Sequence, residues 1–295
     1  MRLFSPAKVN LLLAVTGKRT DGYHDLLSLV SPITFGDFVT VTVDDATGDP
    51  VLSCTNPEVP SGDENLVIQA AKAFLAATGL AKGLTIHLEK HIPTEAGLGG
   101  GSSNAATTLM ILNRVFSEPL SIEDLTDLAT ELGSDCPLFL HREPVLMRGR
   151  GEQIERLDPT IVAGLLGRRL AVFKPSIGVS TPWAYGRLAS QEKSYADREK
   201  TETRVLAWKQ GELALEELMF NSLEDPVFEK FVALPALFES IQENLGLQCL
   251  MSGSGSSCFA LMGESDRGEG LKTMVREAWG DEAIYFECQL GMTDA

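Results

Sequence analysis

The chain has 295 residues, about two domains at roughly 150 residues each, and is long enough to bury a core without disulfides or a metal. Hydrophobic residues make up 44% and charged residues 22%, which excludes a disordered, collagen-like or coiled-coil chain. Lys and Arg number 25 against 41 acidic residues, a net charge of −16, which argues against a nucleic-acid binder but not against a nucleotide enzyme with a locally positive pocket.

Val9, Leu11, Leu13 and Val15 alternate with Lys8, Asn10, Leu12 and Ala14, which predicts a strand with one apolar face. Lys8 and Asn10 are two apart, so they project together from its other face. A turn follows at Gly17–Gly22, and the β-branched run Phe38–Val43 predicts another strand. A helix is expected over Asn65–Thr78 with Gly79 just past its end, then a strand over Leu84–Leu88. Residues 93–101 read as a loop, and Ser102–Phe116 as a helix with Ala105, Leu109, Leu112 and Phe116 on one face. Ser121 caps a further helix that carries Asp124 in its first turn and is closed by Gly133. Val145–Met147 and Gln153–Leu157 read as short strands.

The pattern restarts near Asp158, which divides the chain into 1–157 and 158–295. Beyond it come a strand over Leu170–Phe173, a polar stretch at 190–204, and helices over Val205–Met219 and Leu234–Leu245. Cys249–Met251 and Cys258–Met262 then flank the turn Ser252–Ser257. Strands and helices mix without a regular βαβ rhythm, so the expected class is α+β. Cys54, Cys136, Cys249, Cys258 and Cys288 are scattered and odd in number, which suits a reduced, cytoplasmic setting. Lys8 and Asn10 break the apolar N-terminal run, so it reads as a strand and not a leader. The longest charge-free stretch, Ala96–Asn113, opens on glycines and serines and is no membrane span.

The most informative segment is Pro93-Thr94-Glu95-Ala96-Gly97-Leu98-Gly99-Gly100-Gly101-Ser102-Ser103. Glycines let backbone N–H groups turn toward a ligand, and a helix N-terminus adds free donors and a positive dipole end; together they suit phosphate. Two familiar motifs fail: no lysine follows the glycines as a Walker A loop requires, and Ser102 stands where GxGxxG needs glycine. The run from His87 to His91 lacks the zincin spacing and sits on a strand pattern, so it reads as structural.

Three segments, Ser5-Pro-Ala-Lys-Val-Asn10, the glycine run and Met251-Ser-Gly-Ser-Gly-Ser-Ser257, together resemble the motifs of the GHMP kinases. Asp21-Gly-Tyr-His-Asp-Leu26, Gly133-Ser-Asp-Cys-Pro-Leu-Phe139 and Asn221-Ser-Leu-Glu-Asp-Pro-Val-Phe228 bring the likeness closest to the branch that acts on a cytidine diphosphate alcohol in the non-mevalonate route to isoprenoid precursors. The resemblance implies two α+β domains with the active site in the cleft between them, and ATP-dependent phosphorylation of a hydroxyl with Mg²⁺. It implies that Pro93 to Ser103 hold ATP and that Lys8 and Asp135 are catalytic. It implies that Asn10, Tyr23, His24, Thr181 and Tyr185 line the acceptor site, with Trp183 a rival to Tyr185 for stacking on cytosine. Glu95 stands where relatives often carry a small residue, and a carboxylate beside a triphosphate should point outward.

In chemical terms Asp135 is the expected general base, in an otherwise apolar stretch, with Lys8 its natural partner. The expected partners are small molecules, with no nucleic acid and no membrane. Direct metal ligands and oligomeric state stay open. Two alternatives remain: another GHMP-type small-molecule kinase, or a nucleotide-binding regulator on the same fold without catalysis.

Overall fold

The computed structural model describes residues 1–44, 48–190, 195–263 and 267–292. The chain is mixed α and β and divides into two compact units that interleave along the sequence. One comprises Met1–Ala7, Phe35–Thr94 and Gly99–Glu143; the other comprises Lys8–Thr34, Glu95–Leu98 and the chain from Pro144 onward.

Two long strands, β1 (Arg2–Lys18) and β2 (His24–Asp44), contribute residues to both units. They extend the expected strands at both ends, and much of the added length, Ser5–Ala7 of β1 and Leu27–Ile33 of β2, is buried. In the first unit the end of β2 pairs antiparallel with β4 (Gly83–Glu89), from Phe38 opposite Glu89 to Asp44 opposite Gly83. Strand β3 (Val51–Cys54) adds to β4 in parallel. Helix α1 (Leu66–Thr78) starts where the Asn65 side chain accepts the Val67 N–H and stops at Gly79 in the left-handed region. Helix α2 (Gly100–Val115) packs on α1 with Ala105, Ala106, Leu109 and Leu112 buried. It begins two residues before the expected Ser102, since Gly99, at φ 70°, starts it without any side-chain cap. Helix α3 (Ile122–Leu132) carries the Ser121–Asp124 capping box. Helix α4 (Cys136–His141) has Asp135 as its N-cap residue.

The second unit continues with β5 (Val145–Arg148) and β6 (Gln153–Arg156), a hairpin that pairs with β2 through Ser28, Leu29 and Val30. Then follow α5 (Pro159–Leu165), β7 (Arg169–Lys174), α6 (Thr181–Ala189), α7 (Arg198–Lys209) and α8 (Leu215–Leu218). The single helix expected over Val205–Met219 is thus two, interrupted at Gly211, whose φ of 75° no helix interior holds. The polar stretch 190–204 is partly helical, in α7; residues 191–194 of it lie outside the described residues. The chain ends with β8 (Phe220–Asn221), α9 (Glu224–Lys230), α10 (Ala233–Leu245), β9 (Cys249–Met251), β10 (Cys258–Leu261), α11 (Gly268–Trp279) and β11 (Ile284–Gln289).

A four-stranded antiparallel sheet in the order β11-β7-β10-β9 forms one layer of this unit. Its core joins Phe173, Ala260 and Met251 to Leu237 and Ile241 of α10 and Leu271 and Val275 of α11. Strand β8 pairs in parallel with β1, Leu13 opposite Asn221, which brings the start of α9 beside the strand that carries Lys8. All five cysteines are free thiols.

Candidate active site

The first unit presents the start of α2. By helix geometry its opening N–H groups lack partners within the helix, and its first turn has no acidic residue, so the end is positive and open to an anion. A buried polar network fixes it from behind. Asp37, fully buried, accepts hydrogen bonds from Lys90 Nζ at 2.5 Å, the His91 and Ile92 N–H groups at 2.6 and 2.8 Å, and Asn104 Nδ2 at 2.9 Å. Asn104 also donates to Ser5 Oγ, which lies 2.8 Å from Ser103 Oγ. A Cβ on Gly100 would stand 2.8 Å from Lys90 Nζ, so the glycine lets that ammonium lie close to the helix start. Ser102 hydrogen-bonds the Cys136 thiol; burial, opposed by that hydrogen bond and helped by the Asp135 charge, pushes the thiol's pKa up to about 12. Asp135 itself is partly buried and lies one residue before this thiol.

The second unit presents Lys8, 4% exposed, whose Nζ donates to Asn10 Oδ1 at 2.5 Å. Asn10 Nδ2 donates in turn to Ser28 Oγ on β2, so the pair shares one face of β1 as the alternation predicts. Residues 95–98 of the glycine run and the turn Ser252–Ser257 meet here. Lys8 N–H donates to Leu98 O, Ser252 Oγ to Gly97 O, and Ser257 N–H to Ala96 O. The contact is so close that a Cβ on Gly97 would stand 2.1 Å from Ser252 O. Gly97 at φ 72° and Gly253 at φ 58° both use backbone that favours glycine. Glu95 is exposed and leans over Gly178; burial pushes the pKa of Lys174 down, and the Glu95 charge opposes it.

The same unit gathers the residues expected to take the acceptor. His24 lies beside Tyr185, ring centroids 5.2 Å apart, and its buried Nε2 finds no hydrogen-bond partner among the described residues. Burial, and then the Lys18 charge, pull its pKa below 6.5, so near neutral pH it is an imidazole with one N–H and one acceptor nitrogen. Trp183 is turned elsewhere, against Phe231 and beneath the Lys230 ammonium at 4.3 Å. Tyr23 is 51% exposed, with the Arg150 guanidinium 5.1 Å from its ring centre. Thr181 Oγ1 lies 2.7 Å from Ser254 Oγ. The sequence reading missed Tyr195, whose ring is 6.1 Å from His24, and the Asp37 network. Asp37 left one signal, the single acid between Leu26 and Val43; Tyr195 sits in a polar stretch and left none. His87 of the His87–His91 run hydrogen-bonds Ser53 through Nδ1, and His91 is engaged through its backbone by Asp37.

The GHMP kinase N-terminal domain matches residues 65–143 and the GHMP kinase C-terminal domain matches residues 209–281, together more than half of the chain. The chain belongs to the GHMP kinase family. Among curated family members it is similar to 4-diphosphocytidyl-2-C-methyl-D-erythritol kinase of Methylacidiphilum infernorum (isolate V4), 42% identical over 89% of this chain and 86% of that protein. The enzyme of the same name from Protochlamydia amoebophila (strain UWE25) is 39% identical over 88% of this chain and 84% of its own length. A crystal structure of 4-(cytidine 5'-diphospho)-2C-methyl-D-erythritol kinase superposes with a TM-score of 0.78 at 35% identity, covering 99% of this chain and all of that one. Homoserine kinase from Cytophaga hutchinsonii shares the GHMP kinase fold at a TM-score of 0.77 and 17% identity, covering 99% of this chain and 95% of that one. No helix among the described residues is long and apolar enough to cross a membrane.

Proposed function

We propose that this GHMP kinase transfers the γ-phosphoryl group of ATP to the 2-hydroxyl of 4-diphosphocytidyl-2-C-methyl-D-erythritol, in the cytoplasmic non-mevalonate route to isoprenoid precursors. Kinship with the enzymes of that name supports the reading, and one observation in this chain carries it: a half-buried imidazole with a free nitrogen beside an aromatic face. Such a pair suits a pyrimidine, the ring for stacking and the nitrogen for a base edge. An acceptor without a base has no use for it. Tyr185 takes the stacking role in preference to Trp183, and Tyr23 closes the exposed side. Asn10 and Thr181 complete the acceptor's polar contacts.

Pro93 to Ser103 would hold the triphosphate, the start of α2 supplying N–H donors and the glycines supplying close approach. Glu95, exposed, stays off the phosphates. Mg²⁺ would enter with ATP and need few protein ligands; no group of three or more His, Cys, Asp or Glu side chains among the described residues could hold a metal alone. Bound there, the ion neutralises phosphate charge. Asp135 accepts the proton of the acceptor hydroxyl, and Lys8 offsets the charge that develops during transfer.

The deciding experiment measures ADP release with the cytidine substrate, homoserine and mevalonate as acceptors. Turnover on the cytidine substrate alone is expected, and Asp135→Asn should lower it about 10²–10⁴-fold while ATP still binds. Preference for another acceptor, no turnover at all, or a fully active Asp135→Asn enzyme overturns the reading.

A further inference from the structure

The run Asn221-Ser-Leu-Glu224 has no role in the chemistry above, yet its polar groups converge on the turn beside Lys8. Asn221 is 2% exposed at the end of β8. Its Nδ2 donates to Met251 O at 2.7 Å and to Gly253 O at 2.8 Å, and its Oδ1 accepts the Leu223 N–H at 2.8 Å. Both amide hydrogens and the acceptor are therefore used. Aspartate would turn an oxygen on two carbonyls, and an aliphatic side chain would leave both unsatisfied. Glu224 accepts the Met251 N–H at 2.7 Å, so Met251 is held by its N–H and its C=O at once.

What is held in this way bears on Lys8. Within the turn Ser252 N–H donates to Ser257 O and Gly255 N–H to Ser252 O. A Cβ on Gly253 would stand 3.2 Å from Lys8 Nζ, 3.5 Å from Asn10 Oδ1 and 3.1 Å from Gly97 O. The backbone of the turn thus walls the ammonium and the glycine run together, and a slip of the turn moves both. We propose that Asn221 and Glu224 are positioning residues for phosphoryl transfer, acting through the Ser252–Ser257 turn on Lys8 and Gly97. The assignment rests on the kinase reading above for its chemistry, and on geometry alone for the tether. Displacing a reacting group by about 1 Å costs about 10²-fold in rate, and this sets the size of the expected effect.

The test uses the full chain and the variants Asn221→Leu, Glu224→Met and Glu224→Gln. It reads kcat, KM for each substrate, and hydrogen exchange at the amides of Ser252, Gly255 and Ser257. Asn221→Leu should lower kcat about 10–100-fold with KM values within about threefold of wild type. Glu224→Met should also lose kcat, whereas Glu224→Gln, which still accepts the Met251 N–H, should return it to within about threefold of wild type. Exchange at the turn should rise in the two impaired variants and stay slow in Glu224→Gln. Wild-type kcat in folded Asn221→Leu, equal losses in Glu224→Gln and Glu224→Met, or unchanged exchange overturns the proposal. If Asn221→Leu does not fold, the Glu224 pair decides. If the wild-type chain phosphorylates no acceptor, the kinase reading fails, and the exchange comparison by itself supports or overturns the tether.

Discussion

Asp37 in one compact unit and Glu224 in the other each accept backbone N–H groups beside a glycine-bearing segment, but water is replaced to different degrees around them. Asp37 receives two backbone N–H groups, an amide and the Lys90 ammonium. Glu224 receives the Met251 N–H and faces Asp225, Cys249 and Cys258, which bring no positive charge. Burial therefore wins at Glu224 and pushes its pKa up to about 7, with the Asp225 charge adding to it and the single N–H opposing. A buried carboxylate is held by the sum of its donors, and the two segments accordingly differ in what disturbs them. Side-chain deletion should disturb the start of α2 most, while the Ser252–Ser257 turn should respond to pH.

The largest effect is expected at the better satisfied acid. Asp37→Ala leaves the Lys90 ammonium buried without its partner and should cost about 3–5 kcal/mol of unfolding free energy in a denaturant melt. A loss under about 1 kcal/mol would show that the network does not hold this region.

Gly97→Ala tests how tightly the two loops interlock. Left-handed backbone costs about 1–2 kcal/mol for a residue with a Cβ. The clash with Ser252 O should add about 1–3 kcal/mol of overpacking. Gly79→Ala is the control, since Gly79 has φ 66° but nothing within 4 Å of the added carbon. Equal losses at the two glycines would mean that the loop contact yields freely.

Stability should also depend on pH through Glu224. An unfolded glutamate titrates near 4.5 and Glu224 near 7 in the folded chain. Below pH 4.5 both states are protonated and the group's stabilising contribution is complete; as pH rises through 7 it is lost. The stability of Glu224→Gln relative to wild type should therefore climb by roughly 3 kcal/mol across that window and then level off. A flat difference between pH 4 and 8 would place Glu224 among ordinary, well-solvated acids.

The smallest effect separates acceptor from nucleotide. Tyr185→Ala and His24→Ala should each weaken binding of the cytidine substrate by about 1–3 kcal/mol, by analogy with base–aromatic stacking, and leave ATP binding unchanged. Calorimetry with each ligand in turn reads this directly, and equal losses for both ligands would detach the pair from the base.

Much of this was legible before the fold was known. Asn65 and Gly79 bracket α1, and Ser121, Asp124 and Gly133 bracket α3, because capping involves side chains and backbone only a few residues apart. The alternation through Val15 placed Lys8 and Asn10 on one face for the same reason, since period two is a property of a single strand. Chain order likewise offered the glycine run, the turn at Ser252 and the Asn221 motif, but no means of joining them. Gly97 meets Ser252 across 155 residues and Asn221 meets Met251 across 30, and no local period encodes such meetings. Tertiary structure alone decided that Asp37 would gather Lys90 and Asn104 and that His24 would lie beside Tyr185 and not Trp183. Side-chain type and spacing determine which groups a chain can offer; which of them lose water and must find one another is set by the packing that buries them.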